Sequence, residues 1–387
     1  MRFDNNTDWK QYKLKQLSKI YDGTHQTPDY KNEGIKFVSV EDINDLYATS
    51  KFITNEAFTR DFKVAPKQND ILMTRIGDIG SPTIVIKDEP LAYYVSLALI
   101  KPLDNLNSLF AKYMIESINF QHELWKRTIH VAFPKKINKE EIGECLCFVP
   151  ELSVQQKIGS FLSLIDKRIE TQNKIIEEKE KLIYAINDYL YDKSPKQEYK
   201  LLSLFEQYGG LSGKTADDFG KGMPYITFLS VLNDTYVTRE HTQLVDIKKE
   251  EKQNIVGYED VVLTLSSETP EEVGIVAVNL IAEPVYLNSF CMGLKIKNKN
   301  VVYNDYLTWL FSAKKFRKHI FPYAQGSTRF NLNVSSFMNS YFELPSLDNQ
   351  IKITKMLNES LRELEIEKAI LSKYILQRKY LLRNLFI

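Results

Sequence analysis

The sequence contains one long internal repeat, and this repeat constrains the fold more than any other feature. Four short motifs of the first half recur in the second half in the same order, and their spacing grows steadily from 187 to 195 residues. Insertions of a few residues in surface loops produce such a drift. The matched segments are 12–14 with 199–201, 70–74 with 260–264, 89–90 with 283–284, and 150–155 with 345–350. The period is far longer than that of a solenoid, so we expect two domains of one fold.

Each repeat begins with a part that mixes strand and helix patterns. Runs of β-branched and aromatic residues bounded by Gly, Pro, Asn and Asp predict strands at 36–40, 70–74, 83–86 and 93–100. Apolar residues at helical spacing predict one helix over 110–126. We therefore predict an α+β chain with one mixed globular domain over 1–150 and a second over 193–345.

A long amphipathic helix follows each globular domain. In 154–190 and again in 351–386, apolar residues recur every three or four positions with Glu and Lys between them, which is close to the pattern of a coiled coil. Burying the two apolar stripes against each other removes them from water. We expect the two helices, over 151–192 and 346–387, to pack antiparallel with pseudo-twofold symmetry. The segment 192–196 breaks the first helix, and we expect it to absorb insertions.

Charge and cysteine content restrict the possible functions. The chain has 51 Lys and Arg against 50 Asp and Glu, whereas a protein that grips DNA by neutralising phosphates alone carries an excess of basic residues. A DNA-binding function therefore requires a segregated basic face or a partner. Cys145, Cys147 and Cys291 lack the spacing of a disulfide framework or a zinc site, and we interpret them as ordinary thiols without a metal.

Membrane and export signals are missing from the sequence. No stretch reaches the ~20 apolar residues of a membrane helix. The first residues lack the apolar core of a signal peptide. We expect a cytoplasmic protein.

Catalytic motifs are also missing. The segment 208–215 resembles a phosphate-binding loop, but Tyr208 occupies the position of the first glycine and no apolar helix follows. The sequence has no His-Glu-x-x-His, no Gly-x-Ser-x-Gly and no Asn/Asp-Pro-Pro-aromatic tetrapeptide. Since the repeats share no catalytic constellation, we expect a binding module rather than an enzyme.

Polar loops in corresponding positions of the two repeats are the candidate binding sites. The candidates of the first repeat are Thr24, His25, Gln26, Thr27, His130, Lys135 and Lys136. Those of the second repeat are Ser212, Lys214, Thr215, Thr328, Arg329 and Asn331. Arg can read guanine, Asn and Gln can read adenine, and Lys, Ser and Thr suit phosphates or base edges. The repeats differ most in these loops, as two readers of different sequences would, although each residue can equally belong to an ordinary solvated turn.

Taken in order, these motifs resemble the specificity subunits of Type I restriction–modification systems. The resemblance extends over essentially the whole chain. It is carried by Gly23-Thr24-His25 with Pro28, by Asp70-Ile71-Leu72, by Gly326-Ser327-Thr328, and by the Pro-x-Leu-x-x-Gln motif before each long helix. The first repeat departs from this pattern, because it lacks Gly-Ser-Thr before its last strand.

The resemblance implies a function in DNA recognition. Each globular domain would be a target recognition domain that reads one half of a bipartite, asymmetric DNA sequence, and the helices would set the spacer and dock two methyltransferase subunits. S-adenosylmethionine, ATP and Mg²⁺ would be bound only by the methyltransferase and restriction subunits. The alternatives are a specificity subunit without an expressed partner, a scaffold whose domains bind proteins, and an enzyme. Salt-dependent and sequence-dependent DNA binding separates the scaffold from the DNA reader.

Overall fold

A computed structural model describes residues 9–386 of the chain. These residues form two compact units. Unit 1 contains the described residues up to Lys174 together with those from Ala369 onward, and unit 2 is Ile175–Lys368. Each unit thus combines one globular domain with parts of both long helices.

From residue 9 onward, the globular domain of unit 1 has nine strands and five short α-helices. The strands are β1 (Lys10–Lys13), β2 (Ser18–Asp22), β3 (Ile35–Val38), β4 (Phe52–Ile53), β5 (Ile71–Ile76), β6 (Asp78–Ile84), β7 (Leu91–Tyr93), β8 (Leu97–Pro102) and β9 (Leu146–Val149). The helices are α1 (Leu14–Leu17), α2 (Asn55–Asp61), α3 (Ser108–Glu116), α4 (Ile118–Arg127) and α5 (Lys139–Glu144).

Three small sheets build this domain. The largest has the order β2-β8-β5-β6, the second has the order β4-β3-β7, and β1 pairs with β9. Strand β5 lies inside the largest sheet, and its first five residues are buried. The apolar run Ile71-Leu72-Met73 predicts this burial for the start of the strand. The helix predicted over 110–126 is divided at Ser117, because the extended backbone there ends α3 and the Ser117 side chain accepts a hydrogen bond from Phe120 N–H to begin α4.

The globular domain of unit 2 repeats this plan. Its strands are β10 (Lys196–Lys200), β11 (Phe205–Gly209), β12 (Phe219–Ile226), β13 (Tyr236–Val237), β14 (Thr242–Val245), β15 (Val261–Thr264), β16 (Ser266–Ser267), β17 (Val276–Asn279), β18 (Tyr286–Leu287), β19 (Cys291–Ile296), β20 (Ala324–Gln325), β21 (Phe330–Leu332) and β22 (Tyr341–Pro345). Its helices are α7 (Leu201–Leu204), α8 (Phe228–Asn233), α9 (Tyr306–Ser312), α10 (Lys314–Ile320) and α11 (Val334–Asn339). Here α6 and α12 denote the two long helices, Leu152–Lys193 and Leu347–Asn384.

The strand pairing of unit 2 corresponds to that of unit 1. The run β11-β19-β15-β17 matches β2-β8-β5-β6, the sheet β14-β12-β18 matches β4-β3-β7, and β10 pairs with β22 as β1 pairs with β9. The repeat seen in the sequence is therefore a duplication of one fold.

The long helices α6 and α12 are shared between the units. The N-terminal part of α6 and the C-terminal part of α12 belong to unit 1, and the reverse holds in unit 2, as expected for antiparallel helices. In unit 1, Arg378 pairs with Asp166 at 2.5 Å. In unit 2, Lys179 pairs with Glu367 at 2.9 Å. Among residues 9–386, no helix has both the length and the apolar composition needed to cross a membrane.

The three cysteines are buried, free thiols. Cys145 and Cys147 lie in the core of unit 1 and Cys291 lies in the core of unit 2. Burial raises the pKa of Cys145 and of Cys147 to about 12. All three cysteines are therefore core side chains.

The Pro-x-Leu-x-x-Gln motif has a structural role in unit 1. Its glutamine, Gln155, is buried in the first turns of α6. The Gln155 Nε2 donates to the carbonyl oxygens of Asn105 at 3.1 Å and Pro150 at 2.9 Å, and its Oε1 accepts the N–H of Asn107 at 2.9 Å. One side chain thus joins the start of the helix to the segment before α3.

Gln350 repeats this arrangement in unit 2. Its Nε2 donates to the carbonyl oxygens of Val301 and Pro345, each at 2.8 Å, and its Oε1 accepts the N–H of Tyr303 at 2.8 Å. The motif recurs because each globular domain is joined to its following helix by the same three hydrogen bonds.

We predict that Gln155→Leu destabilises unit 1 by roughly 1–3 kcal/mol, because the substitution removes three hydrogen bonds to the backbone and leaves the buried Pro150 carbonyl without its glutamine donor. Urea unfolding followed by tryptophan fluorescence measures the loss. The matched control is Gln156→Leu, since the neighbouring Gln156 side chain is exposed and its replacement should change the free energy of unfolding by less than about 0.5 kcal/mol. Equal stability of the two variants would contradict the prediction.

Candidate nucleic-acid interface

Residues 23–27, here called the first loop of unit 1, follow directly after β2. A side chain at Gly23 would place its Cβ 2.4 Å from the carbonyl oxygen of Tyr93, so only glycine permits this close approach. The Thr24 N–H donates to that oxygen at 3.2 Å, and the Thr24 carbonyl accepts the N–H of Val95 at 3.0 Å. The backbone of Thr24 is therefore anchored, and the side chains that follow it are exposed to solvent. These are His25, Gln26 and Thr27.

Residues 129–136, the last loop of unit 1, form a second exposed segment. The Ile129 N–H donates to the Lys136 carbonyl at 2.8 Å, and Gly77, in the β5–β6 turn, donates its N–H to the Lys135 carbonyl at 2.8 Å. The His130 ring lies 4.9 Å from the Trp125 ring, and the side chains of His130, Lys135 and Lys136 are exposed. The loop thus presents one imidazole and two ammonium groups on a backbone that is held at both ends.

Arg75 connects the first and last loops of unit 1. Its guanidinium is buried, forms an ion pair with Asp22 immediately before the first loop, and donates from Nε to the carbonyl of Ile137 at 3.0 Å, immediately after the last loop. Lys139 lies 3.5 Å from the same Asp22 carboxylate. A buried charge is tolerated when it is paired and hydrogen-bonded, so this network fixes the two loops relative to each other.

Residues 210–215 form the first loop of unit 2 and follow β11. Gly210 corresponds to Gly23, because an added Cβ would lie 2.0 Å from the Asn288 carbonyl oxygen. Ser212 exchanges two backbone hydrogen bonds with the Gln253 amide, at 3.1 and 2.8 Å. Thr215 donates its N–H and its hydroxyl to the Asp218 carboxylate, which holds the pKa of that carboxyl below its ordinary value. The side chains of Ser212 and Thr215 are exposed.

Lys214 differs from the other candidates because its side chain is directed into the protein. The side chain is only 4% exposed, and its ammonium lies 2.5 Å from the Glu251 carboxylate. It also donates to the Asp246 carbonyl. The hydrogen bond from Lys214 lowers the pKa of Glu251. The Lys214 ammonium therefore stabilises the first loop of unit 2 through contacts with Glu251 and Asp246 and is not presented to solvent.

Residues 325–331, the last loop of unit 2, lie in the hairpin of β20 and β21. The Arg329 Nε donates to the Ser266 hydroxyl at 2.8 Å, and its guanidinium carbon lies 4.5 Å from the centre of the Phe290 ring. Asn331 is paired in register with Ser266 on one side and Gln325 on the other. Thr328, Arg329 and Asn331 are exposed, so the hairpin presents a hydroxyl, a guanidinium and an amide.

The segment 287–291 brings the two loops of unit 2 together. The carbonyl oxygens of Leu287 and Cys291 accept the N–H groups of Leu211 and Gly210 at 2.7 and 3.2 Å. Phe290, in the same segment, lies against Arg329. Both loops of each unit are therefore positioned by one common framework.

Three residues of this framework were missed in the sequence: Arg75, Ser266 and Phe290. Arg75 offered a signal, because a charged residue that directly follows the apolar run of the predicted strand 70–74 requires a partner if it is buried. Phe290 and Ser266 offered none, since their contacts with Arg329 join positions far apart in the chain.

The exposed groups at the loops are hydrogen-bond donors and acceptors of several kinds. They are hydroxyls, amides, imidazoles, ammonium groups and one guanidinium, which together suit phosphates and base edges. Among the residues that the structure describes, no cluster of three His, Cys, Asp or Glu side chains could hold a metal ion.

Comparison with known proteins identifies the family. Residues 6–181 and 193–373 each match the family model of the Type I restriction modification DNA specificity domain. The chain belongs to this family. The two matches correspond to the two repeats, so the resemblance drawn from the sequence motifs is confirmed.

Solved structures of this family share the fold. The crystal structure of a Type-I restriction-modification system S subunit from M. genitalium is similar over 100% of this chain and 98% of that chain, with a TM-score of 0.54 and 16% identity. A chain from a structural study of complex assembly and conformational transition of the type I R-M system is similar over 97% of this chain and 98% of that chain, with a TM-score of 0.65 and 11% identity. At these identities the likeness supports the fold: two tandem mixed domains with two long helices.

Proposed function

We propose that this specificity-family chain is the sequence-recognition subunit of a Type I restriction–modification complex and that each unit reads one half of a bipartite, asymmetric DNA target. One observation carries the proposal. Each unit has one pair of polar loops, and the two pairs differ in their side chains. They nevertheless lie at equivalent places on the duplicated framework, since Gly23 and Gly210 make the same close backbone contact at the start of the first loop of each unit. A duplicated scaffold with divergent polar loops is what reading two different half-sites requires.

The loop chemistry supports direct reading of bases. Gln26 in unit 1 and Asn331 in unit 2 can pair with adenine, and Arg329 can pair with guanine. Lys135 and Lys136 are suited to phosphates, which position a protein on DNA without specifying the sequence. Lys214 contributes differently, because its buried ion pair with Glu251 holds the first loop of unit 2 in place.

The long helices are the proposed docking surface for two methyltransferase subunits. Both helices keep large apolar side chains more than half exposed: on α6 these are Leu164, Leu182, Tyr184 and Tyr189, and on α12 they are Ile366, Leu376 and Tyr380. Apolar side chains spaced in this way along a helix are typical of protein–protein contacts. Such partners also account for the balanced charge, because a DNA clamp that other subunits complete need not supply all phosphate contacts itself.

We further propose that the chain has no catalytic activity of its own. S-adenosylmethionine would be bound by the methyltransferase subunits, and ATP and Mg²⁺ would be used by restriction subunits in the full complex. The proposal rests on the missing catalytic motifs of the sequence and on the character of the loops, which present groups for binding rather than a nucleophile paired with a base.

Methylation sequencing of a host that expresses this chain with a matching methyltransferase subunit tests the proposed function. A bipartite methylated target supports it. A chain that binds DNA without sequence preference, or that binds only proteins, would favour a scaffold instead.

We predict that the two units read independently. Exchanging residues 1–150 for the corresponding part of a relative with a different target should change one half-site and leave the other intact, because each pair of loops is positioned within its own unit. Methylation sequencing of the hybrid shows the result, and the reciprocal exchange of 193–345 serves as the control. A simultaneous change of both half-sites would contradict independent reading.

A further inference from the structure

The tip of the last loop of unit 1 is apolar and fully exposed. Val131 and Phe133 have relative exposures of 98% and 104%. Exposing a phenyl ring to this extent leaves a large apolar surface in water that a binding partner can cover. Because the loop is held at both ends by backbone hydrogen bonds, this tip projects from an anchored base.

The equivalent positions of unit 2 carry polar residues. The Ile137 N–H donates to the Arg75 carbonyl at 3.0 Å, and the Leu332 N–H donates to the Leu265 carbonyl at 2.8 Å. These two hydrogen bonds align the last loops, so 131–134 corresponds to 326–329. Unit 1 has Val-Ala-Phe-Pro where unit 2 has Gly-Ser-Thr-Arg. The tip of unit 1 therefore has no side-chain group that could donate or accept a hydrogen bond.

We infer that the two units read their half-sites by different chemistry at this loop, and that Phe133 and Val131 of unit 1 read DNA by apolar contact. Such contact takes two forms: packing on the methyl group of thymine, or insertion at a base step that separates easily. The inference rests on the proposed function and specifies how one half-site is read.

Three features select DNA rather than a protein as the partner of this tip. The loop 129–136 carries His130, Lys135 and Lys136 and contains no acidic residue, so its charge is complementary to phosphates. The buried Arg75 joins it to the polar first loop of the same unit. The equivalent loop of unit 2 presents the exposed Arg329, whose guanidinium suits DNA. An apolar tip that is followed by two lysines resembles the apolar wedges that DNA-binding proteins place between bases.

The variant Phe133→Ala tests the inference in the complex of the full chain with its methyltransferase subunits. The substitution should not unfold the domain, because the ring is exposed. The matched control is Ile86→Ala, an exposed apolar residue of the same unit that follows β6 at the end away from the β5–β6 turn. Binding is measured on the target duplex and on a scrambled duplex over a series of salt concentrations, and the half-sites are determined by methylation sequencing.

The expected result is a loss of target affinity of roughly 5- to 100-fold for Phe133→Ala, with a smaller loss on the scrambled duplex. The salt dependence should not change, because no charge is removed. The first half-site should become degenerate while the second is unchanged, and Ile86→Ala should behave like the unmodified chain.

Three results would overturn the inference: target affinity equal to that of the unmodified chain, equal losses on both duplexes, or a loss of assembly with the methyltransferase subunits, which would make the tip a protein contact. If the unmodified complex itself shows no sequence preference, the proposed function fails, and this result is distinguishable because it does not depend on Phe133.

Discussion

Arg329→Ala is expected to weaken binding to the target by about 1–3 kcal/mol while affecting a scrambled duplex much less. The structure gives the physical reason. The Ser266 hydroxyl accepts a hydrogen bond from Nε, and the guanidinium carbon lies over the Phe290 ring. Within residues 9–386, the two Nη nitrogens of Arg329 have no hydrogen-bond partner. They are free to donate to the O6 and N7 acceptors of one guanine. A pre-positioned side chain loses less conformational entropy when it binds.

Two variants distinguish base reading from phosphate binding by Arg329. Arg329→Lys keeps the charge but loses the planar pair of donors, so it should retain the salt dependence of binding while losing discrimination. Arg239→Ala removes another exposed arginine of unit 2 and serves as the control for charge alone. Affinities measured on target and scrambled duplexes over a salt series give the answer. A loss of equal size on both duplexes for Arg329→Ala would assign the residue to phosphate contact.

Most of the fold could be predicted from the sequence because it depends on patterns that local physics determines. The strand 70–74 was evident because an apolar run between turn residues suits a buried strand, and the long helices were evident from their apolar spacing. The division of the helix over 110–126 was missed. Its cause is one side-chain hydrogen bond at Ser117, and the apolar spacing continues across the break.

The candidate loops could be located from the sequence, but their internal roles could not. Lys214 and Lys135 are both lysines in polar loops, yet only Lys214 has a buried ammonium. The difference arises from Glu251, which lies 37 residues further along the chain. Arg329 was identified by its chemistry alone, whereas its support by Phe290 depends on a contact between distant segments. Pairings of this kind follow from the folded arrangement and not from spacing in the sequence.

The segment 192–196 is less suited to insertions than the sequence suggested. Tyr191 is buried in unit 2 and donates its hydroxyl to the Glu343 carbonyl at 2.9 Å. The Lys196 ammonium donates to the Asp192 carbonyl at 3.0 Å, and Lys196 is paired with Pro345 in the sheet. An insertion here would separate these partners within unit 2. The boundaries between the two units fall elsewhere in the long helices, after Lys174 and after Lys368.

Inserting one helical turn of four alanine-rich residues at both boundaries is expected to lengthen the spacer between the half-sites by about one to two base pairs. Four residues add ~6 Å along a helix, and one base-pair step is ~3.4 Å. Insertion in both helices preserves the pairing of Asp166 with Arg378 in unit 1 and of Lys179 with Glu367 in unit 2. The loops are untouched, so both half-sites should stay the same. Methylation sequencing reports the spacer and the half-sites together.

Insertion into α6 alone is the control that separates a ruler from a flexible tether. A single insertion forces α6 to bulge or shifts it by one turn against α12, so apolar side chains such as Ile183 and Leu364 lose their buried positions, and stability should fall. If the helices are a ruler, only the double insertion yields an active complex with a longer spacer. If they are a tether, both variants methylate the original target with its original spacer. A longer spacer in the double insertion alone therefore supports the ruler, and an unchanged spacer in both variants supports the tether.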